Sequence, residues 1–197
     1  LGNAIFKSIF GKLPLTFSRT KLSKSHTRLW DSAQFINGIS SSKLTLTKKS
    51  IDTFPLIKIN ELIRGINEST SYAYEPTDKK YLIQPGDIIL SWSVNPETSI
   101  GLFIWANKKS ILNQHIFRVL SSDEIERTFN FFNLNNSLPT LIWCAKNRMT
   151  TGLGHFTKSD LQALQYSTPA SNLKKQFHQK CGPIMDRILF NMKEIIR

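Results

Sequence analysis

The sequence has little sulfur, few acids and no long apolar run. Its two cysteines, Cys144 and Cys181, are too few for a disulfide framework and fit a reducing cytoplasm. No apolar segment approaches the roughly 18 residues that a membrane span needs. The opening LGNAIFKSIFGK carries Lys7 inside its apolar part and lacks a small-residue cleavage site, so it is a poor secretory signal. Signs of catalysis are missing too. No Gly-x-Gly follows a strand to hold a methyl donor. Asn95-Pro96 is followed by Glu97 and Thr98, so the Asn-Pro-Pro-aromatic motif of adenine methyltransferases fails. His26, His115, His155 and His178 have no metal-ligand spacing with the cysteines or carboxylates. Pro85-Gly86-Asp87 reads as a turn, not a nuclease acidic cluster. The sequence therefore points to no catalytic residue, no metal and no cofactor.

The shortage of acids is the most informative absence. Against 26 Lys and Arg there are only 14 Asp and Glu, a net charge of +12 with a pI near 9.9. Such an excess implies a polyanionic partner, either nucleic acid or an acidic membrane surface, with charge serving solubility alone as the plain alternative. Hydrophobic content of 40% with 20% charged residues is ordinary for a globular chain. At 197 residues there is room for one good-sized domain and an appendage.

The organising stretch runs from Tyr81 to Val119. Ile88-Ile89-Leu90, Leu102 to Trp105 and Ile116 to Val119 are short runs rich in β-branched and aromatic residues, each bounded by turn or polar residues. They predict three strands of a sheet core. The connecting loops hold Ser91, Trp92, Ser93, Asn95, Lys108, Lys109, Asn113, Gln114 and His115, a set suited to base edges and phosphates. Trp92 reads equally as a core residue or a base contact, because a buried indole needs a partner for its N–H. His115, beside apolar strand residues, reads as a hydrogen-bonded structural histidine.

The flanks divide as follows. Residues 1–12 predict a short helix stopped at Gly11, with Leu1, Ile5, Phe6, Ile9 and Phe10 on one side. Residues 13–28 predict a basic linker, either solvated or tracking phosphates through cations such as Arg19, Lys21, Lys24 and Arg28, with Lys12 just before it. Leu29 to Ile39 predicts a helix capped by Asp31 or Ser32 and ending near Gly38. Phe54 to Ile59 predicts a strand, then a helical turn to Gly65, then a long polar loop from Asn67 to Lys80. Ser121 or Ser122 is expected to cap a helix, with a second helical piece after Pro139. Lys146 to Lys158 is a loop of cations, threonines, two glycines and His155, fit to present donors to phosphate. Thr157-x-x-Asp160 is a capping-box variant. Residues 169–197 carry Leu173, Phe177, Cys181, Ile184, Ile188, Met192 and Ile195 at helical spacing, interrupted at Pro183. That stripe calls for a partner helix.

The order of GDIILSWS and then LNQHIFRV resembles the target-recognition domain in specificity subunits of type I restriction–modification enzymes. LGNAIFKSIF is similar to the tail of that family's linking helix. The domain opening at Leu29, TTGLGHFTKSDL followed by ALQYSTPA, and the terminal helix resemble family segments in the same order, with Phe156 in place of an aliphatic. The resemblance implies an α+β fold: a mixed target-recognition domain over 29–168 with a small β-sheet core and short helices, then a long coiled-coil-type helix. It implies recognition of one half of a bipartite double-stranded DNA sequence, with methyl transfer and ATP-driven cleavage left to separate subunits and base flipping to the methyltransferase. The partners it implies are modification subunits, the restriction subunit indirectly, and a second recognition domain or another copy through the helix. A self-contained RNA- or single-strand-binding protein remains the alternative reading.

Expected DNA contacts are Lys43, Lys48, Lys49, Lys79, Lys80, Trp92, Ser93, Asn95, Lys146, Arg148, Thr150, Thr151, His155 and Lys158. Expected partner contacts are Phe177, Ile184, Ile188, Met192 and Ile195.

Overall fold

A computed structural model describes residues 1–11, 13–18, 22–93, 95, 98–147 and 155–196, the side chain of Ile196 excepted. In chain order the elements are α1 (Gly2–Phe10), β1 (Thr16–Phe17), β2 (His26–Arg28), β3 (Gln34–Asn37), β4 (Leu46–Thr47), β5 (Thr53–Ile57), α2 (Ile59–Arg64), β6 (Tyr72–Tyr74), β7 (Leu82–Ile83), β8 (Ile88–Ser91), β9 (Gly101–Ile104), β10 (Ser110–Leu112), β11 (Ile116–Leu120), α3 (Glu124–Lys146), α4 (Lys158–Ala163), β12 (Leu164–Ser167) and α5 (Ser171–Ile196). Short 3-10 turns occupy Leu29–Ser32, Ser41–Lys43 and Lys79–Tyr81. The strands form three sheets, ordered β3-β11-β8-β9, β4-β6-β5-β10-β7 and β1-β12-β2.

The three strands expected between Tyr81 and Val119 are neighbours in one antiparallel sheet, with Phe117 opposite Leu90 and Ile88 opposite Ile104. Alternation along β8 explains its unbroken apolar run. Ile88 and Leu90 face the main core with Phe117 and Val119, while Ile89 faces a second cluster with Ile57, Ile83 and Ile116. A strand buried on both faces has no polar side to show. On that second side Arg118 is held by Asp87 at 2.9 Å and by the Leu82 carbonyl at 3.2 Å.

Helices cover the other face of the sheet. Phe177 of α5 stands among Phe6, Phe10 and Phe132 at ring-centroid distances of 5.4, 5.2 and 5.2 Å. At Gly2 an added Cβ would come within 2.3 Å of the Phe132 ring, so α1 can sit this close only with glycine there. Phe177, Cys181 and Met185 are therefore buried against α1 and α3 within the chain. This corrects the expectation that Phe177 meets a partner subunit: the partner helices its part of the stripe calls for are α1 and α3 of the same chain. Only the distal part of the stripe is open, with Ile188 39% and Ile195 84% exposed, while Ile184 and Met192 are half-buried.

Several local expectations are also revised. The stretch opening at Leu29 is one 3-10 turn and then β3, not a helix; Ser32 donates to the Leu29 carbonyl at 2.8 Å instead of capping. The basic linker contributes β1 and β2, which pair with opposite edges of β12. The polar loop from Asn67 to Lys80 contains β6, because Tyr72 and Ala73 are buried against neighbouring strands. Asp123, not Ser121 or Ser122, caps α3, accepting from Glu126 N–H at 2.8 Å. Prolines 139 and 183 both lie inside continuous helices. Each removes one helical hydrogen bond, at a cost of about 3 kcal/mol. Buried Leu134 and Leu141 flank the first and buried Cys181 and Met185 the second; burial of a leucine alone is worth about 1.5–3 kcal/mol. Packing overrides the breaker. The capping box at Thr157 and Asp160 forms as expected, with Thr157 N–H donating to Asp160 at 2.7 Å.

Candidate nucleic-acid interface

Trp92 leaves β8 one residue beyond the pairing of Ser91 with Ile116. Its backbone N–H donates to the His115 carbonyl at 3.3 Å, and its own carbonyl accepts from Phe156 N–H at 3.3 Å. Two chain segments are thereby pinned to the end of the central sheet. The Trp92 ring stacks on Phe117 at 5.7 Å and meets His115 and His155 at 5.8 and 6.1 Å. Across from it Trp30 stacks on Phe35 at 5.3 Å, with the Lys158 ammonium 4.9 Å from the indole centroid. Between the two tryptophans lies an open cavity of about 400 Å³ that Phe156 and Asn37 also line.

Of the two readings of Trp92, the core one is met in part, down to a partner for its N–H. The ring is half-buried against the core, and its Nε1–H donates to Asn37 Oδ1 at 3.3 Å. His155 and Lys158 stand exposed beside it. The structure thus brings Trp92, His155 and Lys158 together. Ser93 is half-buried just beyond, and exposed Asn95 accepts from the N–H groups of Thr98 and Ser99 at 3.3 and 2.8 Å through its carbonyl. His115 has its Nε2 3.4 Å from the Gln114 amide nitrogen, while its buried Nδ1 has no hydrogen-bond partner among the described residues.

The remaining cations fall elsewhere. Lys48 and Lys49 edge a separate cavity with Asn67, Glu68, Thr70 and Tyr72, about 560 Å³ in volume. Lys43 ends an exposed 3-10 turn, and Lys146 ends α3. Lys79 and Lys80 are engaged by carboxylates: Lys79 and Lys109 pair with Glu75, and Lys80 pairs with Asp78 at 2.6 Å. Those ammonium groups hold the Glu75 carboxyl, and Lys80 the Asp78 carboxyl, below the usual carboxylate range. Each of these ammonium groups already has a carboxylate beside it, with Glu75 serving two of them. Arg148, Thr150 and Thr151, like Lys12, Arg19 and Lys21, lie outside the described residues.

Sequence reasoning missed Asn37 and Trp30. Both were assigned to one helix, on which the alternation that aims Phe35 and Asn37 at the Trp92 end is invisible. Gly38 was the available signal. A Cβ there would lie 2.2 Å from the Asn113 carbonyl oxygen, so the chain leaving β3 must hug the turn before β11. Ile39 accordingly donates to the Leu112 carbonyl at 2.8 Å and accepts from Gln114 N–H at 3.0 Å.

Among the described residues no group of three or more His, Cys, Asp or Glu could hold a metal ion, and no helix is long and apolar enough to cross a membrane. An α+β scaffold that fixes aromatic, amide and cationic side chains at a sheet end has the makings of a nucleic-acid recognition module. Residues 27–187 match the family described as Type I restriction modification DNA specificity domain, and the chain belongs to that family. No curated protein matches the sequence. Among solved structures the chain is similar to the HsdS subunit from Thermoanaerobacter tengcongensis, with 15% identity, a TM-score of 0.55, and coverage of 98% of this chain and 44% of that one. It is also similar to a chain from a study of complex assembly and conformational transition of the type I R-M system, with 16% identity, a TM-score of 0.54, and coverage of 98% and 45%. At such identities the likeness is one of fold, and this chain spans less than half the length of either.

Proposed function

We propose that the chain reads one half of a bipartite double-stranded DNA target for a type I restriction–modification enzyme, in the cytoplasm. The observation that carries this is the cleft at the sheet end, where Asn37 and Trp92 are locked together and His155 and Lys158 flank them. Rigid sheet ends aim side chains better than free loops do, and base readout demands such aim. Lys43, Lys48, Lys49 and Lys146 would add phosphate contacts, which position the domain without reading sequence. The distal face of α5 would dock modification subunits and, through them, the restriction subunit. It exposes Ile188 and Ile195, seven residues apart and so on one side of the helix. Methyl transfer and cleavage belong to those partners, and the chain itself is not an enzyme.

A second reading, self-contained binding of RNA or a single strand, draws on the same cleft, since half-buried tryptophans lining an open cavity also suit stacking on unpaired bases. Competition between duplex and single strand at matched salt separates the two. Preferred displacement by duplex supports target recognition; preferred displacement by single strand supports the alternative.

A further inference from the structure

We propose that the cavity between Trp30 and Trp92 is a pocket for one unstacked nucleobase of the bound DNA. This rests on the DNA-recognition reading and adds a ligand to its site. The volume of about 400 Å³ falls within the range of small-molecule sites, about 300–1,000 Å³. The walls are flat aromatic faces, which every base can stack on whatever its identity.

One polar group is built into the wall with a fixed orientation. The indole N–H of Trp92 can only donate, so the Asn37 atom facing it at 3.3 Å must be the carbonyl oxygen. That leaves the Asn37 NH₂ to donate to a carbonyl or ring nitrogen on a base edge. At the rim, Lys158 rests on the Trp30 face, and no carboxylate pairs with it among the described residues. Its ammonium can therefore meet the phosphate next to an inserted base. Among the described residues no acid lines the cavity, and the chain carries +12, so a polyanion is the favoured occupant. A base reaches such a pocket in two ways. It can be left without its partner when the pair is opened for chemistry, or it can come from a strand that is already single.

The test is fluorescence anisotropy on the full chain at one salt concentration. Its DNAs are an intact duplex, the same duplex with one 2-aminopurine facing an abasic site, and the single strand. The expected result is binding to the gapped-pair duplex about tenfold tighter than to the intact one, with the 2-aminopurine emission quenched. Asn37→Ala, at an exposed position, should shrink that ratio toward one, and Trp30→Leu should abolish the quenching. Single strand bound as tightly as the gapped-pair duplex, with the same quenching, keeps the pocket and names the single strand as its source. Equal affinity for both duplexes without quenching overturns the pocket and leaves duplex recognition standing. Failure to bind any of the three DNAs overturns both.

Discussion

The indole N–H of Trp92 donates to the side-chain oxygen of Asn37 at 3.3 Å, joining residues 55 positions apart at the end of one sheet. The bond satisfies a half-buried donor, and it orients an exposed amide. If that amide reads a base, Asn37→Ala should cost roughly 1–3 kcal/mol on the preferred duplex and much less on random DNA. Trp92→Phe keeps an aromatic ring but removes the N–H and frees the amide to rotate, so it should lose part of the same discrimination. Titrations of both variants against the two DNAs check this. Equal losses on both would make Asn37 a folding or positioning residue.

Cations with and without a carboxylate partner should differ in their salt dependence. Lys158→Ala should lower the slope of log K against log salt by about 0.9 with little change in sequence preference, and Lys43→Ala is expected to act likewise. Lys79→Ala should change it less, because the Lys79 ammonium already pairs with a carboxylate, Glu75, which it shares with Lys109. Binding isotherms over a salt series give all three slopes.

The two halves of α5 should separate stability from assembly. Phe177, 0% exposed amid three phenylalanine rings, should cost about 3–5 kcal/mol on replacement by alanine, read by denaturant unfolding. Ile188→Glu lies on the open face and should leave the unfolding midpoint nearly unchanged while weakening capture of modification subunits or self-association. Light scattering and co-purification measure that loss.

Helix α3 should carry a pH signature at its start. The Asp123 carboxylate accepts from the backbone N–H of Glu126, and this bond is the leading cause that holds its pKa below the ordinary value of 3.8. A carboxyl lowered in the fold stabilises it at pH well above 3.8, and the contribution is lost as pH falls through the lowered folded value. Asp123→Asn keeps a cap but cannot titrate, so its stability should fall less steeply with acid than that of the native chain. Asp123→Ala should lower stability at neutral pH, because it removes the cap outright. Thermal melts between neutral and acid pH check both.

The central sheet was legible in the sequence because β8, β9 and β11 are apolar runs between clear turn signals. The capping box at Thr157 was legible because its bonds are local. Elements decided by distant contacts were not. β1 and β2 look like a polar linker until β12 comes between them. Pro139 and Pro183 look like breaks until the residues on either side are seen to be buried. The same limit applies to the site. Trp92, His155 and Lys158 could be picked out by residue type, but Asn37 and Trp30 depend on a strand and the 3-10 turn before it, which local propensity reads as one helix. On α5 the spacing gave the apolar stripe, while only the contacts with α1 and α3 tell which half is already covered.

The central claim, sequence-specific reading of duplex DNA, is tested most directly by selection from a random duplex pool with the full chain. Binding of the selected and starting pools is then compared at two salt concentrations. The account predicts enrichment of one short half-site. Affinity for both pools should fall with salt, while the ratio between them persists, because phosphate contacts carry the first effect and base contacts the second. A pool that stays random after selection, bound only in proportion to charge, would contradict it.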